Sequence, residues 1–319
     1  MQYKNYLHRY GTALHCTVPW PPKESEPSRF VFRNKKLWHG CQTIGRWKLL
    51  PQQYFYDLVW QNRLLLNNHY GIEKHFSKPR VFDFDDAIWL TEGKKQVDKA
   101  ITKASALFAG NEYLAEYGSR LNKNIKIVPS VIDTDIFKPL PLRDQPFTIG
   151  WIGSKSNVEY LRLIKEPLLQ FLKDTKDTRV LIVSDIQPNI FNFDNERIIF
   201  KQWSAGKENG LINEFTAGLM PLPDNEWTKG KCGFKMLQYM ACGKPFIASP
   251  VGVNKKIITE SGAGIAAVAD NDWLKSLHDL KNDIALFRHH SDKGRPYIEE
   301  KYSCKIWAGR INEYFKELY

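Results

Sequence analysis

Lys229, Lys231 and Lys235 lie within seven residues of one another, interleaved with Gly230 and Gly233. That combination suits a phosphorylated ligand: glycines let backbone amides approach closely, and the unpaired N–H groups at a helix start favour an anion. The chemistry needs a strand, a turn and a helix to hold it. Gly218–Leu222 reads as a short buried strand closed by Pro221, Pro223 and Asp224, because proline cannot extend a sheet ladder. Gly233–Cys242 reads as a helix whose apolar face is Met236, Leu237, Met240 and Ala241. Gly243 stands where a helix commonly stops, and Pro245 opens a second strand, Phe246–Ser249. Gly233 and Phe234 open that helix and are candidate contacts to the phosphorylated ligand, and Cys232 and Cys242 read as packing residues because no histidine lies near them.

A second polar group is Asp83, Asp85 and Asp86. Three carboxylates in four positions could ligate a hard cation. Equally, Asp83 and Asp85 share a face of a strand, and Asp86 could cap the helix that follows.

Around these groups the chain alternates strand and helix. From Thr148 to Ala269 the order is Thr148–Ile152, a helix near Val158–Lys173, Arg179–Ser184, Ile198–Lys201, a helix near Asn209–Phe215, then the unit described first and a last strand at Ile265–Val268. Such alternation gives a parallel sheet covered by helices. A shorter alternation precedes it: strands at Asp57–Trp60, Val81–Phe84, Ala106–Ala109 and Ile125–Val128, with helices near Asn62–Tyr70 and Thr91–Lys103. Lys138–Pro146, with three prolines, reads as the linker. The expected division is therefore 1–140, 141–300, and a C-terminal helix at 301–319 that packs back on the first domain. Pro19, Pro21, Pro22 and Pro27 with Lys23–Ser28 indicate a loop, and residues 1–54 offer no clear first strand.

Composition narrows the class. The chain has 319 residues, is 43% hydrophobic and 25% charged, which favours one or two folded cores over disorder. No run approaches the roughly 20 apolar residues of a membrane-spanning helix, and Met1–Trp20 lacks a signal-peptide pattern, so a cytosolic protein is expected. Five cysteines without paired spacing indicate neither a disulfide framework nor a zinc site. The net charge is +11, and the first 80 residues hold 13 Lys and Arg against 4 Asp and Glu. That basic end could meet anionic lipid headgroups or a phosphate-linked acceptor, or simply be a solvated face; no nucleic-acid motif accompanies it.

The ordered set GWIGS at Gly150–Ser154, GLMPL at Gly218–Leu222, KGKCGFKMLQYMACGKP at Lys229–Pro245 and ASPVGVN at Ala248–Asn254 resembles retaining glycosyltransferases of the GT-B type. VFDFDDAIWL at Val81–Leu90, NEYLAEY at Asn111–Tyr117 and VPSVIDTDIF at Val128–Phe137 extend the likeness, which covers about residues 55–319. The resemblance implies an α/β fold of two Rossmann-like domains facing each other across a cleft. The N-terminal one would be reduced, since the apolar strand and glycine-rich loop with which relatives begin are not evident. It also implies a sugar moved from a nucleoside-diphosphate donor to a glycan or lipid-linked acceptor, with retained configuration and no metal or other cofactor. Gly150, Gly153 and Ser154 are then expected as a tight turn whose amides meet the diphosphate, helped by Lys155. Trp203 would pack on the base, and Lys231 and Lys235 would stabilise charge on the leaving phosphate. Where many relatives carry two Glu residues, this chain has Gly230 and Gln238. Gln238 can still reach ribose hydroxyls, while sugar contacts would pass to Asp224 or Trp227. Asp85 stands about where relatives place a His and is expected to orient the acceptor or act as base, beside Asp83 and Asp86. Two alternatives remain open: an epimerase or hydrolase of sugar nucleotides on the same fold, and an inactive sugar-nucleotide-binding subunit, the latter motivated by Gly230 and Gln238.

Overall fold

The computed structural model describes residues 3–17, 35–66, 68–141, 145–193 and 195–318, with the side chains of 35–39 left aside. The chain divides into two units, Met1–Pro129 with Ala308–Tyr319, and Ser130–Trp307. The proline-rich loop expected around Pro19–Ser28 lies outside the described residues.

In the first unit, helices α1 (Lys4–Leu7), α2 (Lys35–Trp47) and α3 (Leu49–Gln52) precede strand β1 (Val59–Asn62). Strands β2 (Arg80–Phe84), β3 (Ala106–Ala109) and β4 (Ile125–Ile127) alternate with α4 (Lys94–Thr102) and α5 (Glu112–Ser119). The four strands pair in parallel in the order β1-β2-β3-β4. Val81, Phe82, Phe84, Leu107 and Phe108 are buried, consistent with a parallel sheet that is covered by helices. The helix expected near Asn62–Tyr70 is not formed. Asn62 still belongs to β1, and Arg63 adopts a left-handed backbone with φ of 56°, which a helix cannot continue through.

The second unit is a six-stranded parallel sheet in the order β10-β9-β8-β5-β6-β7. Its strands are β5 (Phe147–Ile152), β6 (Thr178–Ser184), β7 (Ile198–Gln202), β8 (Ala217–Met220), β9 (Phe246–Ala248) and β10 (Gly264–Ala266). They alternate with α6 (Lys165–Asp174), α7 (Glu208–Asn213), α8 (Glu226–Lys229), α9 (Phe234–Ala241) and α10 (Val253–Ser261), and α11 (Asp270–Asn282), α12 (Ile284–Lys301) and α13 (Cys304–Lys316) follow. The first part of the expected Val158–Lys173 helix is a 3-10 helix, Lys155–Ile164, and Pro167 sits in the first turn of α6, where its missing N–H costs nothing.

Side chains alternate across this sheet, as the strand period requires. Leu181, Val183, Met220 and Phe246 join α9, α10 and α12 in one core, while Ile149, Trp151, Val180, Ile182 and Leu219 join α6 and α11 in another. Gly150 and Gly218 are register partners on the α9 face. A Cβ on Gly150 would lie 2.0 Å from the Phe215 ring, and one on Gly218 would lie 2.3 Å from the Tyr239 ring. The two rings meet edge to face at 6.1 Å and fill the space that the glycines leave.

The stretch read as a linker is held against the second unit. The Lys138 and Leu140 amides donate to the side-chain oxygens of Asn209 and Asn213 at 3.0 and 2.9 Å. The last helix crosses the division, and its Phe315 packs on Trp60 and Phe108 at 5.4 and 5.9 Å. Among the described residues no helix is long and apolar enough to cross a membrane, and no disulfide joins the five cysteines.

Candidate functional site

In the second unit β6 and β7 lie on one side of β5, and β8, β9 and β10 on the other. The loops that leave β5 and β8 at their C-terminal ends therefore diverge, and ligands of open parallel sheets bind in the crevice that such a switch point leaves. Gly153–Lys155 follow β5, Pro221–Asn225 follow β8, and α9 begins beside them.

The β5 loop is pinned from β6. Gly153 N–H donates to the Val183 carbonyl at 3.0 Å, and Lys155 N–H donates to Asp185 Oδ1 at 2.5 Å. Asp185 also accepts from Ser184 Oγ at 3.1 Å. Trp203, partly exposed after β7, donates its amide to the Ser184 carbonyl at 2.8 Å. These bonds correct two expectations. Gly150 lies inside β5 and serves packing, and the Gly153 amide is occupied by the sheet, so neither offers an amide to a ligand. Gly153 instead makes room for a neighbour, since a Cβ there would lie 2.6 Å from the Trp151 ring and 2.9 Å from Lys235 Cε. Its bare backbone thus lets the lysine stem pass. Lys235 Nζ lies 5.5 Å from the centre of the Trp151 ring, a cation–π distance.

The β8 loop is built with similar care. Asn225 and Thr228 form a reciprocal cap on α8, and Thr228 Oγ1 also donates to the Pro223 carbonyl at 2.5 Å. Asp224 faces Lys229 at 3.2 Å, and Lys231 Nζ lies 5.0 Å from the centre of the Trp227 ring. Gly230 is buried as the residue ending α8. Gly233 then takes a left-handed backbone, φ 69°, and starts α9 with no side-chain cap. Phe234 is exposed at that start, whereas Gln238 is buried one turn further along. The structure thus gathers Lys231, Lys235, Trp227, Gly233 and Phe234 about one helix start, beside Gly153.

Tyr239 holds the two loops in place, a role that the apolar helix face concealed in the sequence. Its hydroxyl donates to the Leu219 carbonyl at 3.1 Å and accepts from the Ile152 amide at 3.4 Å. It thereby ties α9 to the ends of both β5 and β8. Gly252, φ 55°, allows a second close approach, since a Cβ there would lie 2.7 Å from the Lys229 carbonyl oxygen. Ser249 Oγ accepts from the Leu222 amide, and the buried Asn254 donates to the Ser249 carbonyl at 3.1 Å. Asp185, Tyr239 and Ser249 left only one sequence signal, a polar residue at the end of an apolar strand or within an apolar helix face.

In the first unit the corresponding edge is acidic. Asn62, the last residue of β1, is the register partner of Asp83 near the end of β2, and the Arg63 amide donates to the Asp83 carbonyl at 2.8 Å. The Arg63 guanidinium donates to Asp85 Oδ1 from Nε at 3.1 Å and from Nη2 at 2.8 Å, and also to Asp86 Oδ2. Its Nη1 stands 4.0 Å from Glu92. Trp60 Nε1 donates to Asp83 Oδ2 at 3.0 Å. Burial, reinforced by the charge of Asp85, pushes the Asp83 carboxyl up to about 7 against the pull of Trp60 and Arg63. The capping expectation for Asp86 is corrected: its side chain serves Arg63, and α4 begins later, after Gly93. Among the described residues no group of three His, Cys, Asp or Glu is arranged to hold a metal ion. Arg63 was missed because its stretch reads as helix.

With this geometry in view, residues 146–283 match the family described as glycosyl transferases group 1. The match lies inside the second unit, which thus carries a group 1 glycosyltransferase domain, that of an enzyme. No curated protein matches the sequence. Solved structures share the fold at low identity. Sucrose-phosphate synthase from Thermosynechococcus elongatus is 14% identical with a TM-score of 0.69, over 95% of this chain and 87% of that one. Anabaena HepE in complex with UDP-glucose is 13% identical with a TM-score of 0.67, over 86% and 82%. A glycosyltransferase from Rickettsia africae is 15% identical with a TM-score of 0.64, over 92% and 84%. The architecture is α/β with two parallel sheets, matching GT-B glycosyltransferases.

Proposed function

We propose that the protein moves a sugar from a nucleoside-diphosphate donor to a glycan or lipid-linked acceptor with retained anomeric configuration. The observation that carries this reading is the pair Lys231 and Lys235 at the glycine-led start of α9, beside Gly153 at the switch point of a parallel sheet. The group 1 domain match supports it, as does the fold shared with HepE, a protein whose structure was solved with UDP-glucose.

In this scheme the helix dipole and the two lysines stabilise the negative charge that grows on the departing diphosphate, the step at which such contacts lower the barrier. The diphosphate itself helps to remove the acceptor proton, and the lysines supply the neutralisation without a divalent cation. Ser154 and Lys155 add donors to the phosphates, Trp203 packs on the base, and Gln238 reaches ribose hydroxyls. Trp227 and Asp224 contact the sugar, with Gly230 leaving them room. On the first unit Asp85, held by Arg63, receives the acceptor hydroxyl, and Asp83 and Asp86 complete that edge. The basic N-terminal region brings the protein to the anionic inner face of a membrane, where a lipid-linked acceptor would reside.

A panel of UDP-, GDP-, ADP- and TDP-sugars tests the donor site. One of them at a hundred times its Kd should stabilise the protein by about 2.7 kcal/mol, seen as a raised Tm. No shift with any member at millimolar concentration overturns the reading. Mass analysis of products with and without acceptor separates transfer from hydrolysis or epimerisation.

A further inference from the structure

Ile44 and Trp47 on α2, and Tyr54 and Phe55 just after α3, are all at least half exposed, Phe55 at 82%. The segment that presents them is well anchored. Arg46, almost fully buried, donates from Nε to the Leu65 carbonyl at 2.8 Å and from Nη1 to the Gln42 carbonyl at 2.7 Å. Gln53, also buried, accepts from the amides of Ser77 and Lys78 at 2.7 and 3.2 Å and donates to the Leu50 carbonyl at 2.9 Å. These bonds bring Lys74–Lys78 beside the aromatic residues, and the Trp47 ring lies 6.0 Å from that of His75. Lys48 and Lys74 are exposed and Lys78 half-buried around the group. Glu73, from the same loop, is turned inward to accept from the Leu65 and Gly71 amides. The rim therefore keeps its cations outward and spends one acid internally.

A fixed apolar group with two aromatics that carry polar tips and a lysine rim fits the boundary between headgroups and acyl chains. Tyr and Trp settle at that level, Phe and Ile enter the apolar layer, and lysines meet anionic headgroups. We infer that Ile44, Trp47, Tyr54 and Phe55, rimmed by Lys48, Lys74 and Lys78, form a docking surface for an anionic lipid bilayer. The charge of the first 80 residues complements such a surface and does not favour an apolar protein partner. This inference rests on the membrane contact proposed above and names the residues that make it.

The test is co-sedimentation of the full chain with vesicles of phosphatidylglycerol and phosphatidylcholine, compared with phosphatidylcholine alone. Binding is expected to the anionic vesicles and to weaken as salt rises. Replacing Trp47→Ser with Phe55→Ser should weaken it about tenfold or more through lost apolar burial. Each lysine is worth roughly fivefold at such a surface, so Lys48→Glu, Lys74→Glu and Lys78→Glu together should weaken it on the order of a hundredfold. A Trp47→Phe variant gives a second readout, since the blue shift of tryptophan emission on vesicle binding should shrink. Circular dichroism verifies the fold of each variant, and the nucleotide-sugar thermal shift, read in the other unit, should be unchanged. Failure of the anionic vesicles to sediment the protein, binding indifferent to these substitutions, or a dimer dissolved by Phe55→Ser would each overturn the inference. A persistent nucleotide-sugar shift in that event leaves the transferase reading standing.

Discussion

At the C-terminal edge of β2 two aspartates and Glu92 converge on one arginine beside a third aspartate, whereas at the same edge of β5 and β8 glycines, an uncapped helix start and two lysines converge with two tryptophans. Both edges belong to parallel sheets, so topology alone supplies the position. The residues supply the sign of charge. The first edge is suited to hydroxyl groups that need an acceptor, and the second to anions. The first edge also rests on ionic pairing, which leaves it sensitive to salt and, through Asp83, to pH, while the second rests on steric fit between glycines and rings.

The two edges should differ most under substitution at Gly150. Gly150→Ala forces a methyl into the Phe215 ring, which is fully buried and has no room to retreat. We expect a loss of about 3 kcal/mol or more, measured by chemical denaturation, or failure to fold. Arg63→Ala should come next. It leaves Asp85, Asp86 and Glu92 without their shared cation, at a loss of roughly 2–3 kcal/mol near neutral pH. Because the damage is repulsion among carboxylates, the deficit should shrink as salt is raised and screens that repulsion. A deficit equal at low and high salt would mean that Arg63 acts by packing or backbone strain instead.

Tyr239→Phe removes the hydroxyl that joins α9 to β5 and β8 and strands the buried Leu219 carbonyl, at about 1–2 kcal/mol. Its effect should not vary with salt as that of Arg63→Ala does. Asp83→Asn gives the smallest and most selective effect. A carboxyl raised to about 7 in the folded protein, against ~4 when unfolded, binds more protons in the folded state across that window. Wild-type stability is therefore lost as pH rises from about 4 to about 7. The asparagine can still accept from Trp60 and should be no more stable than wild type at pH 4 but more stable at pH 8. Stability curves for the two proteins that stay parallel over this range would contradict the assignment.

Much of the second sheet was legible because buried parallel strands are near-continuous apolar runs between helical stretches, as in Thr148–Ile152 and Arg179–Ser184. The cluster of glycines and lysines after β8 was legible for the same reason: residue types that suit an anion stand where a strand passes to a helix. What escaped were features made by long-range packing. Gly150 reads as a turn glycine, yet it answers to Phe215, sixty-five positions away. Arg63 reads as part of a helix, yet it takes a left-handed backbone to reach carboxylates on β2. The hydroxyl of Tyr239 is hidden in an apolar helix face because periodicity registers the ring and not its polar tip.

Whether the second edge grips a diphosphate decides the function proposed for it. Isothermal titration of UDP, GDP and ADP in the presence of EDTA should show saturable binding of at least one to the wild-type protein. Lys231→Ala with Lys235→Ala should weaken that binding by about a hundredfold, from two lost charge-assisted contacts, and Arg63→Ala should leave it unchanged. Equal affinity in the wild type and the double variant would contradict the claim that these lysines hold the donor.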